Sequence, residues 1–235
     1  SLVKEFWEKR AVKQTDGNFL FSSEGNEPWL DDAERNGEIT WHYWEQYRKY
    51  LDEDLQWSRS VCDAIGRDTR EILALTHDPK DIQYSTKGLV IGNVQSGKTA
   101  NYLGLLCRAA DAGYKYLVVL ASTTNDLREQ TQKRTEEGFI GLRLVQDQEN
   151  RRTYKIERVG VGYGTAGDFR HPNPGTTRDD DFKKAKMEAF LNIRAENVTE
   201  PWIFIIKKNT STLRNLIRWF RQQDRGPNDR LFLID

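Results

Sequence analysis

Residues Gly92-Asn93-Val94-Gln95-Ser96-Gly97-Lys98-Thr99 satisfy the pattern GxxxxGK[ST] at every specified position. The pattern binds phosphate because glycine lets the backbone curl until successive N–H groups converge on the phosphate oxygens. A helix opening where the loop ends points its positive N-terminus at the same anion. Lys98 then offers a point charge to the β/γ-phosphates, and Thr99 a hydroxyl to Mg²⁺. The nucleotide-binding set is Gly92, Asn93, Val94, Gln95, Ser96, Gly97, Lys98, Thr99 and Ala100, with ATP and Mg²⁺ as the implied cofactors. With glycine at about 7% of residues, a chain this long meets the pattern by accident about once in a hundred times.

Such a site needs a second acidic group for Mg²⁺, usually where a buried strand ends. Leu231-Phe232-Leu233-Ile234-Asp235 offers one, four apolar residues and then a carboxylate. Asp235 joins Thr99 as a metal ligand and Lys98 as a catalytic residue. In helicase-type ATPases the Glu that orients the attacking water follows this Asp directly. Since Asp235 is the last residue, the expectation is a chain that stops inside its own active site, binding ATP but hydrolysing it feebly.

The surrounding elements are those the motif requires. Gly88-Leu89-Val90-Ile91-Gly92 reads as a strand, and Thr99 to Ala112 as a helix with Leu103, Leu106, Cys107 and Ala110 on one side and Gly113 as its stop. Tyr116 to Leu120 is a second strand, followed by a helix through Leu127 to about Arg134. Trp202 to Ile206 is a third strand, and Leu213, Leu216, Ile217 and Phe220 repeat with helical spacing after it. Continuous apolar strands alternating with helices predict an α/β domain built on a parallel sheet.

The region to about residue 80 reads as irregular and then helical, with Trp44, Tyr47 and Leu51 at i, i+3, i+7, and then Trp57, Val61, Ile65, Ile72 and Leu75. These aromatics are expected in a core. Residues 81–235 form the ATPase domain. Residues at about 146–185 break the alternation with Gly160, Gly162, Gly164 and Gly167 and then His171-Pro172-Asn173-Pro174-Gly175, and are expected to form a mobile excursion with a short hairpin around Tyr154 to Val161. Asp179-Asp180-Asp181-Phe182-Lys183 is the nearest approach to a metal-nuclease pattern and reads as a solvated charge run.

The ends of the other strands are candidates for nucleic acid, because ligands gather at the carboxyl ends of strands in α/β sheets. Thr124-Asn125-Asp126-Leu127-Arg128-Glu129-Gln130 has the form TxxLxxQ and is similar to motif Ia of superfamily-two helicases, which holds a backbone phosphate. It nominates Thr124, Asn125, Arg128 and Gln130. Lys207, Lys208 and Asn209 nominate themselves at the end of the third strand, with a plain helix cap at Asn209 as the alternative. Gln83 and Tyr84, before the first strand, are candidates for reading adenine.

Composition bounds the rest. The chain has 235 residues with 36 basic and 36 acidic side chains, which excludes a wholly basic coat but not a local basic groove. Aromatics at 11%, including seven Trp, argue for a folded core. No apolar run approaches the roughly 20 residues of a membrane span. Cys62, Cys107 and the scattered His42, His77 and His171 make no zinc or CxxC pattern, so a cytoplasmic protein with free thiols is expected, away from the membrane.

Gly88 to Thr99, Ala109-Ala110-Asp111-Ala112-Gly113-Tyr114-Lys115 and Leu127-Arg128-Glu129-Gln130-Thr131-Gln132-Lys133-Arg134 resemble the Z-one domain family of endonucleases, and Trp41 to Pro79 and Lys207-Lys208-Asn209 fit as well. The resemblance implies a RecA-like P-loop sheet, the ATPase of a superfamily-two helicase or translocase, working on DNA. It implies a bacterial restriction or phage-defence setting, with methyltransferases and histidine-kinase-like ATPases as partners, and nuclease activity through the family's name alone. It also implies that this chain is the N-terminal portion of a longer protein, lacking the second domain that carries an arginine finger. A nucleotide-dependent switch that docks partners without translocation is the alternative, and a small-molecule kinase a more distant one.

Overall fold

The computed structural model describes residues 29–81, 86–90, 97–146, 154–164, 170–183, 199–223 and 230–235. Three helices come first: α1 (Trp29–Arg35), α2 (His42–Lys49), which runs into a π-helical turn (Tyr50–Asp54), and α3 (Arg59–Ala74). The helically spaced Trp44, Tyr47 and Leu51 are all buried, as expected of core aromatics. Next come α4 (Lys98–Asp111) and strand β1 (Tyr116–Ser122), separated by Gly113, whose φ of +103° stops the helix. Helix α5 (Asn125–Thr135) continues through a π turn (Glu136–Ile140) into an antiparallel hairpin of β2 (Leu142–Gln146) and β3 (Tyr154–Arg158). A 3₁₀ turn (Gly160–Tyr163), the short β4 (Asn173–Pro174), β5 (Trp202–Lys207), α6 (Thr210–Gln222) and β6 (Leu231–Ile234) complete the order.

Four strands form one parallel sheet in the order β4-β5-β1-β6. Because side chains alternate along a strand, β1 and β5 supply two cores at once. Leu117, Val119, Ile203 and Ile205 pack against Leu103, Leu106 and Cys107 of α4 and, through α4, join Tyr43, Trp44, Tyr47 and Ile65. On the other face Tyr116, Val118, Phe204 and Ile206 meet Phe182, Leu216 and Trp219. Each fully buried side chain of this size contributes roughly 1.5–3 kcal/mol. The expected α/β class, a parallel sheet flanked by helices, is what the chain adopts.

The N-terminal helices are fastened to α4 by polar contacts as well as by the shared core. Asp111, the last residue of α4, accepts hydrogen bonds from the backbone N–H groups of Tyr43 (2.9 Å) and Trp44 (2.9 Å). It thereby caps α2, whose own N-cap residue, Trp41, makes no side-chain cap. Burial pushes the Asp111 carboxyl up to about 7, against the pull of those N–H groups in the other direction. A carboxyl raised in the folded state contributes stability below its unfolded pKa and loses it as pH rises through the folded value. Urea unfolding of the protein and of Asp111→Asn at several pH values should show the native chain losing stability relative to the variant between about pH 4 and pH 7. A difference that stays flat with pH would contradict this.

Several expectations give way here. Residues Thr86 to Val90 carry no strand and are exposed, Leu89 by 84% and Val90 by 62%; Ile91 to Ser96 lie outside the described residues. An apolar run becomes a strand only where a neighbouring edge takes up its backbone groups, and no described strand does so for Thr86 to Val90. Among the described residues β6 stands at the edge of the sheet, with Leu231 and Leu233 about half exposed.

The described parts of the expected mobile excursion are built into the domain. The hairpin pairs β3 with β2, so it starts earlier than the proposed Tyr154 to Val161. A Cβ on Gly162 would lie 1.9 Å from the Gly141 carbonyl oxygen, and one on Gly175 would lie 2.2 Å from the Phe204 ring. These glycines permit close packing rather than loop motion. Thr176, Thr177, Asp181 and Phe182 are buried, so the acidic run is not uniformly solvated. The Asp181 carboxylate accepts from the Phe182 N–H (3.0 Å) and from Thr212 Oγ1 (3.3 Å) and pairs with Lys207 (3.7 Å).

Candidate functional site

Gly97 stands immediately before α4 with φ +74° and ψ +18°, a left-handed conformation that suits glycine. The N-cap residue Gly97 has no side chain to cap this 14-residue helix, and a helix N-terminus favours an anion. Lys98 is exposed, Thr99 half-buried and Ala100 buried. The turn is held from below: the Tyr47 hydroxyl, itself buried, donates to the Ala100 carbonyl (3.2 Å). From the side, Arg134 Nη1 of α5 donates to Thr99 Oγ1 (2.8 Å), a contact that sequence spacing did not suggest. Gly92, Asn93, Val94, Gln95 and Ser96 lie outside the described residues, as do Gln83 and Tyr84.

The carboxyl ends of β1, β5 and β6 collect the other candidates. The Lys208 N–H donates to the Ser122 carbonyl (2.8 Å), and the Lys208 ammonium pairs with the Asp235 carboxylate. Those two side chains are 42% and 60% exposed, so the pair stabilises by about 1 kcal/mol at most and can exchange for another partner. Lys207 donates to Asn125 Oδ1 (2.7 Å) and pairs with the buried Asp181, which leaves its ammonium committed within the protein.

The nucleic-acid candidates therefore divide. Thr124, Asn125 and Gln130 are exposed. Arg128 is only 2% exposed and donates to the main-chain carbonyls of Thr177 (2.8 Å) and Arg178. Its expected phosphate contact is corrected: the guanidinium is spent holding residues 177–178, whose carbonyls it satisfies in the interior. Asn209 serves as the N-cap of α6, accepting from the Thr212 N–H (2.8 Å) and the Ser211 hydroxyl (2.9 Å). Asn209→Ala should lower the unfolding free energy by about 1 kcal/mol and Asn209→Asp by much less, as read by thermal or urea unfolding.

A neighbouring polar network fixes α5 in place. Gln132 Nε2 donates to the Thr176 carbonyl (3.2 Å), Thr176 Oγ1 donates to Gln132 Oε1 (2.8 Å), and Arg178 pairs with Glu136 (2.6 Å). Burial raises the Glu136 carboxyl, while Arg178 pulls it down. Cys62 and Cys107 are free and buried, and burial pushes both thiols up.

The residues present fit a magnesium nucleotide in part. A helix N-terminus with an exposed lysine and a hydroxyl follows a left-handed glycine, and a carboxylate stands at a strand end. Among the described residues no three His, Cys, Asp or Glu side chains cluster as a metal site. A phosphate-bridged Mg²⁺ needs only one or two protein ligands; the candidates are Thr99, which accepts from Arg134, and Asp235, which pairs with Lys208. A cavity of about 90 Å³ between Gln46, Tyr50, Val161 and Tyr163 is too small for a nucleotide and shares no residue with these candidates.

The structure defines an α/β protein with a parallel sheet flanked by helices, and the GxxxxGK[ST] sequence runs into the start of one of them. Neither family models, nor curated proteins, nor solved structures give a match to this chain. Among the described residues no helix is long and apolar enough to cross a membrane.

Proposed function

We propose that this chain is the ATP-binding motor domain of a DNA helicase or translocase of the superfamily-two type, with a RecA-like fold. In this reading it works in the cytoplasm of a bacterium, within a restriction or phage-defence system that includes an endonuclease. The observation that carries the reading is the complete GxxxxGK[ST] sequence joined to a helix whose first residue is Lys98. Lys98 and the N–H groups of Gly97 to Ala100 hold the phosphates, and Thr99 and Asp235 hold Mg²⁺. Bound Mg-ATP supplies a γ-phosphoryl group whose transfer to water releases the energy for movement on DNA. Thr124, Asn125 and Gln130 remain the residues available to a DNA backbone, with Lys208 if its pair with Asp235 opens.

One observation favours a second reading, a nucleotide-dependent switch without translocation. The burial of Arg128, the tethering of Lys207 and the capping role of Asn209 remove much of the basic surface at the strand ends. ATP turnover by the protein, with and without DNA, separates the two. Stimulation by DNA is the result expected of a motor. Turnover indifferent to DNA supports the switch, and phosphoryl transfer to a small acceptor would overturn both.

A further inference from the structure

The guanidinium of Arg134 has no role in the reading so far. It lies in the last turn of α5, exposed, with Nη1 2.8 Å from the hydroxyl of Thr99. The other basic residue of that turn, Lys133, pairs with Glu137 (3.9 Å), whereas among the described residues neither Arg134 nor Lys98 has an acidic partner within ion-pair distance. Arg134 thus reaches the hydroxyl in the first turn of α4, next in the chain to the exposed Lys98.

We infer that Arg134 is a phosphate-contacting residue of this site, and that it reads the terminal phosphate of a nucleoside triphosphate. The inference rests on the nucleotide-binding function proposed above. In the GxxxxGK[ST] pattern the hydroxyl at the position of Thr99 would serve as a Mg²⁺ ligand. A guanidinium in hydrogen-bond contact with that hydroxyl would be placed to reach a phosphate bound there. A divalent cation on Thr99 Oγ1 would repel it, and a terminal phosphate would offer it an anionic acceptor. The planar fork of Arg suits a phosphate edge in a way a lysine ammonium does not. The same hydrogen bond to Thr99 joins α5 to α4.

Calorimetric titration of Mg-ATP and Mg-ADP into this chain, Arg134→Ala and Arg134→Lys decides the matter. Thermal melting serves as the check on folding. The native chain should bind both nucleotides. Arg134→Ala should weaken Mg-ATP by about tenfold or more while changing Mg-ADP by less than about twofold, since one charge-assisted hydrogen bond is lost. Arg134→Lys should fall between. Equal losses for both nucleotides, or no loss for either, would overturn the inference and leave the nucleotide site standing. A folded native chain that binds neither nucleotide overturns the underlying reading, and the inference with it.

Discussion

Phe182→Ala should lower the unfolding free energy by about 4 kcal/mol, within the range of 3–5 typical of a fully buried phenylalanine. The ring is fully buried, edge-on to Phe204 with centroids 5.3 Å apart and to Trp219 at 6.1 Å. Truncation removes apolar area, leaves a void between β5 and α6, and forfeits two aromatic contacts of about 0.5–1.5 kcal/mol each. Asp179, three residues earlier and exposed, is the control: Asp179→Ala should change stability by less than about 0.5 kcal/mol. Urea unfolding of both variants is the measurement. A loss below about 1 kcal/mol for Phe182→Ala would mean that residues 170–183 ride on the domain rather than belonging to it.

Arg108→Ala should cost about 3 kcal/mol, and Arg108→Met clearly less. The guanidinium carbon sits 4.7 Å from the Trp41 ring and 4.3 Å from the Trp44 ring. Nε donates to Thr69 Oγ1 (3.1 Å) and Nη2 to the Gly66 carbonyl (3.2 Å). Burial lowers its pKa to about 10, so the group remains charged at neutral pH. Two opposed effects compete: losing the charge relieves desolvation, while losing the side chain opens a gap between two indoles and unpairs buried acceptors. Packing is expected to win, because the arginine stem and the cation–π contacts join α2, α3 and α4 at one point. Methionine refills the gap without the charge, which is why its cost is smaller. An alanine variant as stable as the methionine variant would contradict the packing account.

The parts of this fold that were legible in the sequence are governed by neighbours along the chain. Lys98 and Gly113 bracket α4 because a helix start and a left-handed stop are local events. The apolar runs of β1 and β5 are continuous because both faces of those strands are covered. What could not be read depends on residues far apart. The cap on α2 is Asp111, 68 positions after Tyr43. Arg128 has the right spacing for a phosphate contact, yet it is taken up by carbonyls 49 and 50 residues later. On α6 the helical spacing placed Ile217 on the buried face, whereas it is 48% exposed and Trp219 fills that position. Leu89 and Val90 have the composition of a strand, but pairing depends on an edge that composition does not reveal.

Of the candidate site, Lys98, Thr99 and Asp235 could be nominated from the sequence because each sits at a fixed offset from a local signal. Arg134 could not be, since its approach to Thr99 comes from the packing of α5 beside α4.

The most direct test of the central claim is a calorimetric titration of Mg-ATP into this chain and into Lys98→Ala. Micromolar binding by the native chain, abolished in a variant that melts at the same temperature, is the result predicted by a working phosphate loop. A folded native chain that gives no binding heat, or a Lys98→Ala variant that binds as tightly as the native chain, would contradict it.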